Sequence, residues 1–203
     1  MSTDEKQAPR PQLAMVRNGL GDLPAVSLPR GYGIRSFRDG DAPGWCRIIT
    51  ESFRKEHGID FFETKMRGDA AFRPARVFFV VRGAELVATA SAWRRPRWDP
   101  ENGYLHMVGC RPAHAGRGLG RAVSLAALHR MASAGCAGAC LHTDDFRLAA
   151  LKPYLRLGFV PRMLHENQVE RWRAVLTSLG RDDLIESFRP IFEGPLFRGP
   201  DDA

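Results

Sequence analysis

No apolar run in the chain approaches the roughly 20 residues that a bilayer-crossing helix needs. The opening residues, MSTDEKQAPRPQ, lack the apolar core of a secretory signal, so a cytoplasmic protein with no membrane role is expected. Cysteine is sparse. The four thiols stand at 46, 110, 136 and 140, with no CxxC and no Cys/His spacing suited to zinc. Reduced thiols and no metal site are therefore expected. Lysine is scarce as well: Lys6, Lys55, Lys65 and Lys152 are the only lysines among 30 basic residues. The arginines are scattered, and no long basic tract marks a nucleic-acid arm. There is no internal repeat, which removes solenoids.

What remains is an ordinary globular balance, 44% apolar and 26% charged over 203 residues. That is enough for one domain with its own core, needing no disulfide or metal staple. The net charge of +7 favours anionic partners without choosing among nucleic acid, membrane surface and phosphorylated small molecules.

Residues 1–12 read as a disordered tail, and 13–31, mixing apolar residues with Pro and Gly, as an irregular arm. A strand is expected at Gly33–Phe37, a helix over about 42–54 and a short helix near 60–67. Val77–Val81 and Leu86–Trp93 make a hairpin across Arg82–Glu85. Arg94–Gly103 reads as a Pro-containing connection before a strand at Tyr104–Cys110. A helix follows the glycines at 116–120 and closes at Gly135. Then come a strand at Ala139–Thr143, a helix capped by Asp144 or Asp145 and ended by Gly158, and a short strand over Phe159–Leu164. The order β-α-α-β-β-β-α-β-α-β is a mixed α/β layer protein. Beyond it lies a C-terminal extension, 165–203. Its helix at 166–179 presents Val169, Trp172, Val175 and Leu176, and the chain frays into GPLFRGPDDA. The extension replaces a final strand, covers the sheet edge or forms a homodimer contact.

The most informative stretch joins the strand ending at Cys110 to the following helix: Cys110-Arg-Pro-Ala-His-Ala-Gly-Arg-Gly-Leu-Gly-Arg-Ala122. Gly116, Gly118 and Gly120 clear Cβ atoms from a backbone that something must approach. The helix start offers unpaired N–H groups, and Arg117 and Arg121 add charge, so the stretch suits a phosphate or pyrophosphate. It is not a P-loop, because no Lys follows these glycines. It is not a Rossmann fingerprint either: the sixth position is Arg121 counted from Gly116 and Val123 counted from Gly118.

The stretch resembles motif A of the GNAT N-acetyltransferase superfamily, Arg/Gln-x-x-Gly-x-Gly/Ala, through Gly118-Leu119-Gly120, with Ala115 at the Arg/Gln position. Downstream, Ala150-Leu-Lys-Pro-Tyr154-Leu-Arg-Leu-Gly158-Phe159 is similar to the family's closing Ala-x-x-x-Tyr-x-x-x-Gly-Phe, with Arg147 where Asn is usual. The resemblance covers about residues 32–164. It implies a mostly antiparallel sheet flanked by helices and acetyl-CoA as co-substrate. It also implies pyrophosphate on the amides of Gly116, Arg117, Gly118, Leu119, Gly120 and Arg121, and pantetheine paired along Val108, Gly109 and Cys110. The implied reaction is direct acetyl transfer to a primary amine of a small molecule or peptide in a ternary complex. The alternatives are another acyl group or acceptor, or a catalytically silent acyl-CoA sensor.

Such a transfer needs a base for the amine and an acid for the departing thiolate. Tyr154, at the family's Tyr position, is the expected acid. His106 is the expected base, because strand alternation puts Tyr104, His106, Val108 and Cys110 on one face and members of the family relay a proton from that face. Asp144 and Asp145 are fallback bases or helix caps; His142 is a weaker candidate and His114 reads as a solvated loop residue. Cys110 has no partner for a nucleophile's role and reads as a buried strand residue. The Trp93–Trp98 cluster fits base stacking, a surface loop or contact with the acceptor.

Overall fold

The computed structural model describes residues 11–199; the expected tail at 1–12 lies almost wholly outside them. The strands are β1 (Leu13–Asn18), β2 (Gly33–Ser36), β3 (Val77–Arg82), β4 (Glu85–Arg95), β5 (Asp99–Cys110), β6 (Gly138–Thr143) and β7 (Val160–Arg162). The helices are α1 (Ala42–Phe53), α2 (Ile59–Phe62), α3 (Leu119–Ser133), α4 (Leu148–Arg156), α5 (Gln168–Ser178), α6 (Asp183–Ser187) and α7 (Arg189–Phe192). The seven strands form one sheet in the order β2-β3-β4-β5-β6-β1-β7. Every described pairing is antiparallel except β5 with β6. The mixed, mostly antiparallel architecture is the one the sequence implies. Among the described residues no helix is long and apolar enough to cross a membrane.

Two cores lie on the two faces of the sheet. One gathers Val123, Leu128 and Met131 of α3, Tyr154 of α4 and Trp172 and Leu176 of α5. The other gathers Trp45, Ile48 and Ile49 of α1 with Phe62 of α2 and Phe79 of β3. The expected apolar face of the extension is thus covered by its own domain: Trp172 and Leu176 are fully buried. Gln168 ties α5 to the sheet by donating to the Gln12 carbonyl and accepting from the Leu164 amide.

Four local expectations are corrected. Residues 13–31 are not wholly irregular: Leu13–Asn18 is a strand lying between β6 and β7. Leu13, Ala14 and Met15 are all fully buried, so the segment is apolar on both faces and shows no alternation to read. The connection 94–103 shrinks to a turn at 96–98, because β4 and β5 extend towards each other. Neither Asp144 nor Asp145 caps α4, whose N-cap is Arg147. The last turn of chain does not fray at Phe197, whose amide donates to the Met163 carbonyl (2.7 Å) and whose ring carries the Arg162 guanidinium at 4.1 Å.

Two irregularities shape the centre of the sheet. Thr89 faces Gly109 and Ser91 faces His106, so β5 uses three steps where β4 uses two. The extra residue is a bulge, and Met107 takes φ 49° there. And β5 pairs with β6 only at Gly103–Ala139 and Tyr104–Cys140; beyond that the strands part.

Candidate active site

The loop leaving β5 is held from behind by ion pairs. Buried Arg111 donates to Glu51 of α1 (2.9 Å) and to Glu85 of β4. His114 is no solvated residue: it is buried, with Nδ1 3.0 Å from the Tyr32 hydroxyl and Nε2 3.5 Å from Glu85. The chain then turns through Gly116 and Gly118, both at φ 75°. No backbone N–H from Gly116 to Arg121 has an acceptor within the described protein. The start of α3 has no side-chain cap, so its dipole and free amides face outward. Six consecutive unmatched donors beside Arg117 and Arg121 fit an anion such as a pyrophosphate.

The parting of β5 from β6 exposes a strand edge. On that edge the Val108 carbonyl accepts only from Arg147 Nη2 (3.3 Å), and the Cys110 amide donates only to Ser52 Oγ (3.4 Å). Both contacts are long, and an extended amide-bearing arm could replace them, as in strand addition. Gly109 between them is glycine for a different reason. A Cβ there would stand 3.1–3.3 Å from Ile49, Ile48 and Ser52, so it lets α1 lie close on the sheet.

Tyr154 reaches the same place from α4. It lines a cavity of about 100 Å³ together with Val108, Gly109, Cys110 and Gly120. Its hydroxyl has no hydrogen-bond partner in the described protein and is not sealed from the cavity. Burial pushes its pKa up to about 12, so the phenol is protonated at any working pH. The structure therefore gathers Tyr154, the Val108–Cys110 edge of β5 and Gly120 of the glycine loop at one cavity. Burial also pushes the Cys110 thiol up, which agrees with a strand residue and not a nucleophile.

His106 is not brought there. The bulge at Met107 reverses the alternation: Tyr104 packs in the α1 core, whereas Val108 and Cys110 pack against the α3 core. The common face expected for the four residues does not exist. His106 lies between Trp93 (5.4 Å) and Tyr104 (5.5 Å), and burial depresses its pKa to about 3. His142, hydrogen-bonded through Nδ1 to the Tyr104 hydroxyl (3.0 Å), is depressed by burial to about 4. Asp145 is paired with Arg171 at 2.5 and 2.8 Å. Trp93 is buried and Trp98 packs on His142 at 4.5 Å, so the Trp93–Trp98 cluster is no open stacking platform.

A second cavity, about 650 Å³, adjoins the first and shares Ala149 and Ala150 with it. Arg54, Lys55, His57, Asp144, Phe146 and Arg147 line it. His57 and Arg147 are the site residues that sequence reasoning missed as such. Arg147 was read only as a departure from the family's usual Asn, and His57 sits in the loop between two helices, outside any motif; only the fold sets α1 against the start of α4.

A family model described as Acetyltransferase (GNAT) family matches residues 42–159. A mycothiol acetyltransferase of Streptomyces scabiei is 34% identical over 158 residues, which is 73% of this chain and 50% of the relative. One from Thermomonospora curvata is 33% identical over 154 residues, 72% of this chain and 51% of the relative. The chain spans about half the length of these curated relatives. Among solved structures, a GCN5-related N-acetyltransferase from Sphaerobacter thermophilus superposes with a TM-score of 0.58 at 23% identity, over 75% of this chain and 50% of that one. The ribosomal-protein-S18-alanine N-acetyltransferase of Escherichia coli gives 0.53 at 20% identity, over 64% and 77%.

Proposed function

The chain belongs to the GNAT acetyltransferase family, and from that premise we propose that it is an acetyl-CoA-dependent N-acetyltransferase acting on a small-molecule primary amine. A small-molecule acceptor follows the relatives named mycothiol acetyltransferase. One observation carries the reading: an unpartnered tyrosine hydroxyl shares a cavity with the free edge of β5 and the first turn of α3.

Acetyl-CoA would supply an acyl carbon activated as a thioester. The amides from Gly116 to Arg121 would hold its pyrophosphate, with Arg117 and Arg121 adding charge. The Val108 carbonyl and Cys110 amide, flanking Gly109, would pair with its pantetheine arm. Tyr154 would donate its phenolic proton to the departing sulfur; a group with its pKa near 12 is always loaded, and its O–H would first stabilise the forming thiolate as a hydrogen-bond donor. The base role read for His106 is not carried into this proposal. With a pKa of about 3 it is too weak to hold a proton taken from an amine, and neither cavity is lined by it.

The test is thiol release from acetyl-CoA with a panel of primary amines, alongside calorimetric titration of acetyl-CoA. Amine-dependent release with coenzyme binding is expected. Binding without release for any amine would favour an acyl-CoA sensor and overturn the enzymatic reading.

A further inference from the structure

The larger cavity holds an imidazole whose tautomer the backbone fixes. His57 sits in the loop between α1 and α2, and its Nδ1 lies 2.5 Å from the Lys55 carbonyl oxygen. A carbonyl can only accept, so Nδ1 carries the hydrogen and Nε2 keeps a bare lone pair. Nε2 has no partner among the described residues, yet it is not one of the sealed polar atoms. The ring is locked in place. Phe61 meets it edge-on at 4.5 Å and Phe53 at 5.8 Å. The Thr50 hydroxyl accepts from the His57 amide at 2.9 Å and holds the loop to α1. Arg54, which ends α1 in the left-handed region at φ 53°, turns the chain into this loop. A non-glycine residue held there is the kind of backbone strain found at functional sites.

We infer that His57 is the general base of the acetyl transfer, accepting through Nε2 the proton that the acceptor amine sheds, and that the cavity it lines is the acceptor pocket. The inference rests on the acetyl-transfer reading above. Overall, a neutral amine and acetyl-CoA become an N-acetyl amide and free thiol. As the C–N bond forms, His57 Nε2 takes the proton from nitrogen. As the C–S bond breaks, Tyr154 protonates the sulfur; imidazolium then yields its proton to solvent and the phenolate recovers one. The charged groups facing His57 are Arg54 and Lys55 from its own loop and Asp144 and Arg147 from the start of α4. Three cations to one anion disfavour an ammonium in the pocket and so favour the neutral amine that must attack. Asp144, which lines the same cavity, accepts from Gln12 at 3.0 Å through one carboxylate oxygen.

Two measurements on the full chain test this. In 15N-detected NMR of the imidazoles, with His57→Asn used for assignment, His57 should carry its proton on Nδ1 at neutral pH; a ring protonated on Nε2 overturns the proposal whatever the kinetics show. In the amine panel, His57→Asn keeps a donor for the Lys55 carbonyl but removes the base. It should lower kcat about 10²-fold and leave acetyl-CoA affinity unchanged. A variant that retains the wild-type rate overturns the role of His57 while acetyl transfer stands, and moves the base to Asp144. Wild-type protein that releases thiol with no amine overturns the acetyl-transfer reading, and this proposal falls with it.

Discussion

Arg147, at the start of α4, reaches across the gap between the two parted strands and donates to the carbonyl of Val108 at 3.3 Å, with its guanidinium 4.1 Å above the ring of Phe53. The bond spans the mouth of the proposed coenzyme cleft, and it engages the acceptor that the pantetheine arm would use. Arg147→Ala removes that competitor. One such bond is worth about 1 kcal/mol, so acetyl-CoA should bind up to roughly fivefold more tightly, as calorimetry would read. Weaker binding would mean that Arg147 holds the coenzyme instead of competing for its site.

The glycine loop makes a prediction with a built-in control. Gly118→Val puts a branched side chain at φ 75° in the path of a phosphate, and affinity for acetyl-CoA should fall at least tenfold, about 1.4 kcal/mol. Strain alone at that position could lower stability, so Gly120→Ala is the companion. Gly120 lies inside α3 with open space where a Cβ would stand, and alanine there should raise stability by up to about 1 kcal/mol. A higher melting temperature with weaker coenzyme binding is the expected signature. Unchanged affinity in both variants would remove the loop from the coenzyme site.

Tyr154→Phe should lower kcat by about 10²–10⁴ with little change in coenzyme affinity. Its stability cost should stay within about 1 kcal/mol, since the hydroxyl has no partner to lose. The pH dependence is distinctive. An acid works while protonated, so activity is lost as pH rises through its pKa; at about 12, that loss lies beyond the working range. The wild-type profile should show no alkaline limb from Tyr154 up to about pH 10. A full rate in Tyr154→Phe, with chemistry rate-limiting, would sink the acid role.

The two buried imidazoles should make the fold acid-sensitive. His106 and His142 have their pKa values depressed from 6.5 to about 3 and about 4, so the folded protein favours their neutral forms. Their contribution to stability is full above about pH 6.5 and is lost as pH falls towards 4 and then 3. The melting temperature should therefore decline steadily between those limits. His106→Leu, which breaks no hydrogen bond, should flatten part of that decline. A slope identical to wild type would show that His106 takes up its proton as readily in the folded state as in the unfolded one.

Trp172 tests the extension. It is fully buried between α5 and the rest of the domain, and Trp172→Ala should cost about 3–5 kcal/mol, visible in thermal or urea unfolding. An effect below about 1 kcal/mol would show that the C-terminal helices are a loose appendage.

The sequence by itself determined whatever rests on neighbouring residues. Strand, glycine turn and helix start follow one another within Cys110–Ala122, so the loop was legible from its own residues, and Tyr154 was singled out by the resemblance of Ala150–Phe159 to the family's closing motif. The helices α1 and α5 were legible from their own residues too, each burying one stripe at helical spacing, and α3 was legible as an apolar run between the glycine cluster and Gly135. The tertiary structure decided the rest. The strand Leu13–Asn18 is apolar on both faces and carries no period, and its place depends on the gap between β6 and β7. The bulge at Met107 is set by pairing with β4, and that one extra residue sends Val108 and Cys110 to the face opposite Tyr104. His106 was read as a base from strand alternation and the family's proton relay, and neither encodes the burial that depresses its pKa to about 3. His57 gained its fixed tautomer from a carbonyl two residues away, and its cavity from α4, some ninety residues downstream. Local order fixes which groups a segment offers; long-range packing, by controlling burial and strand register, fixes which of them can meet and in what charge state.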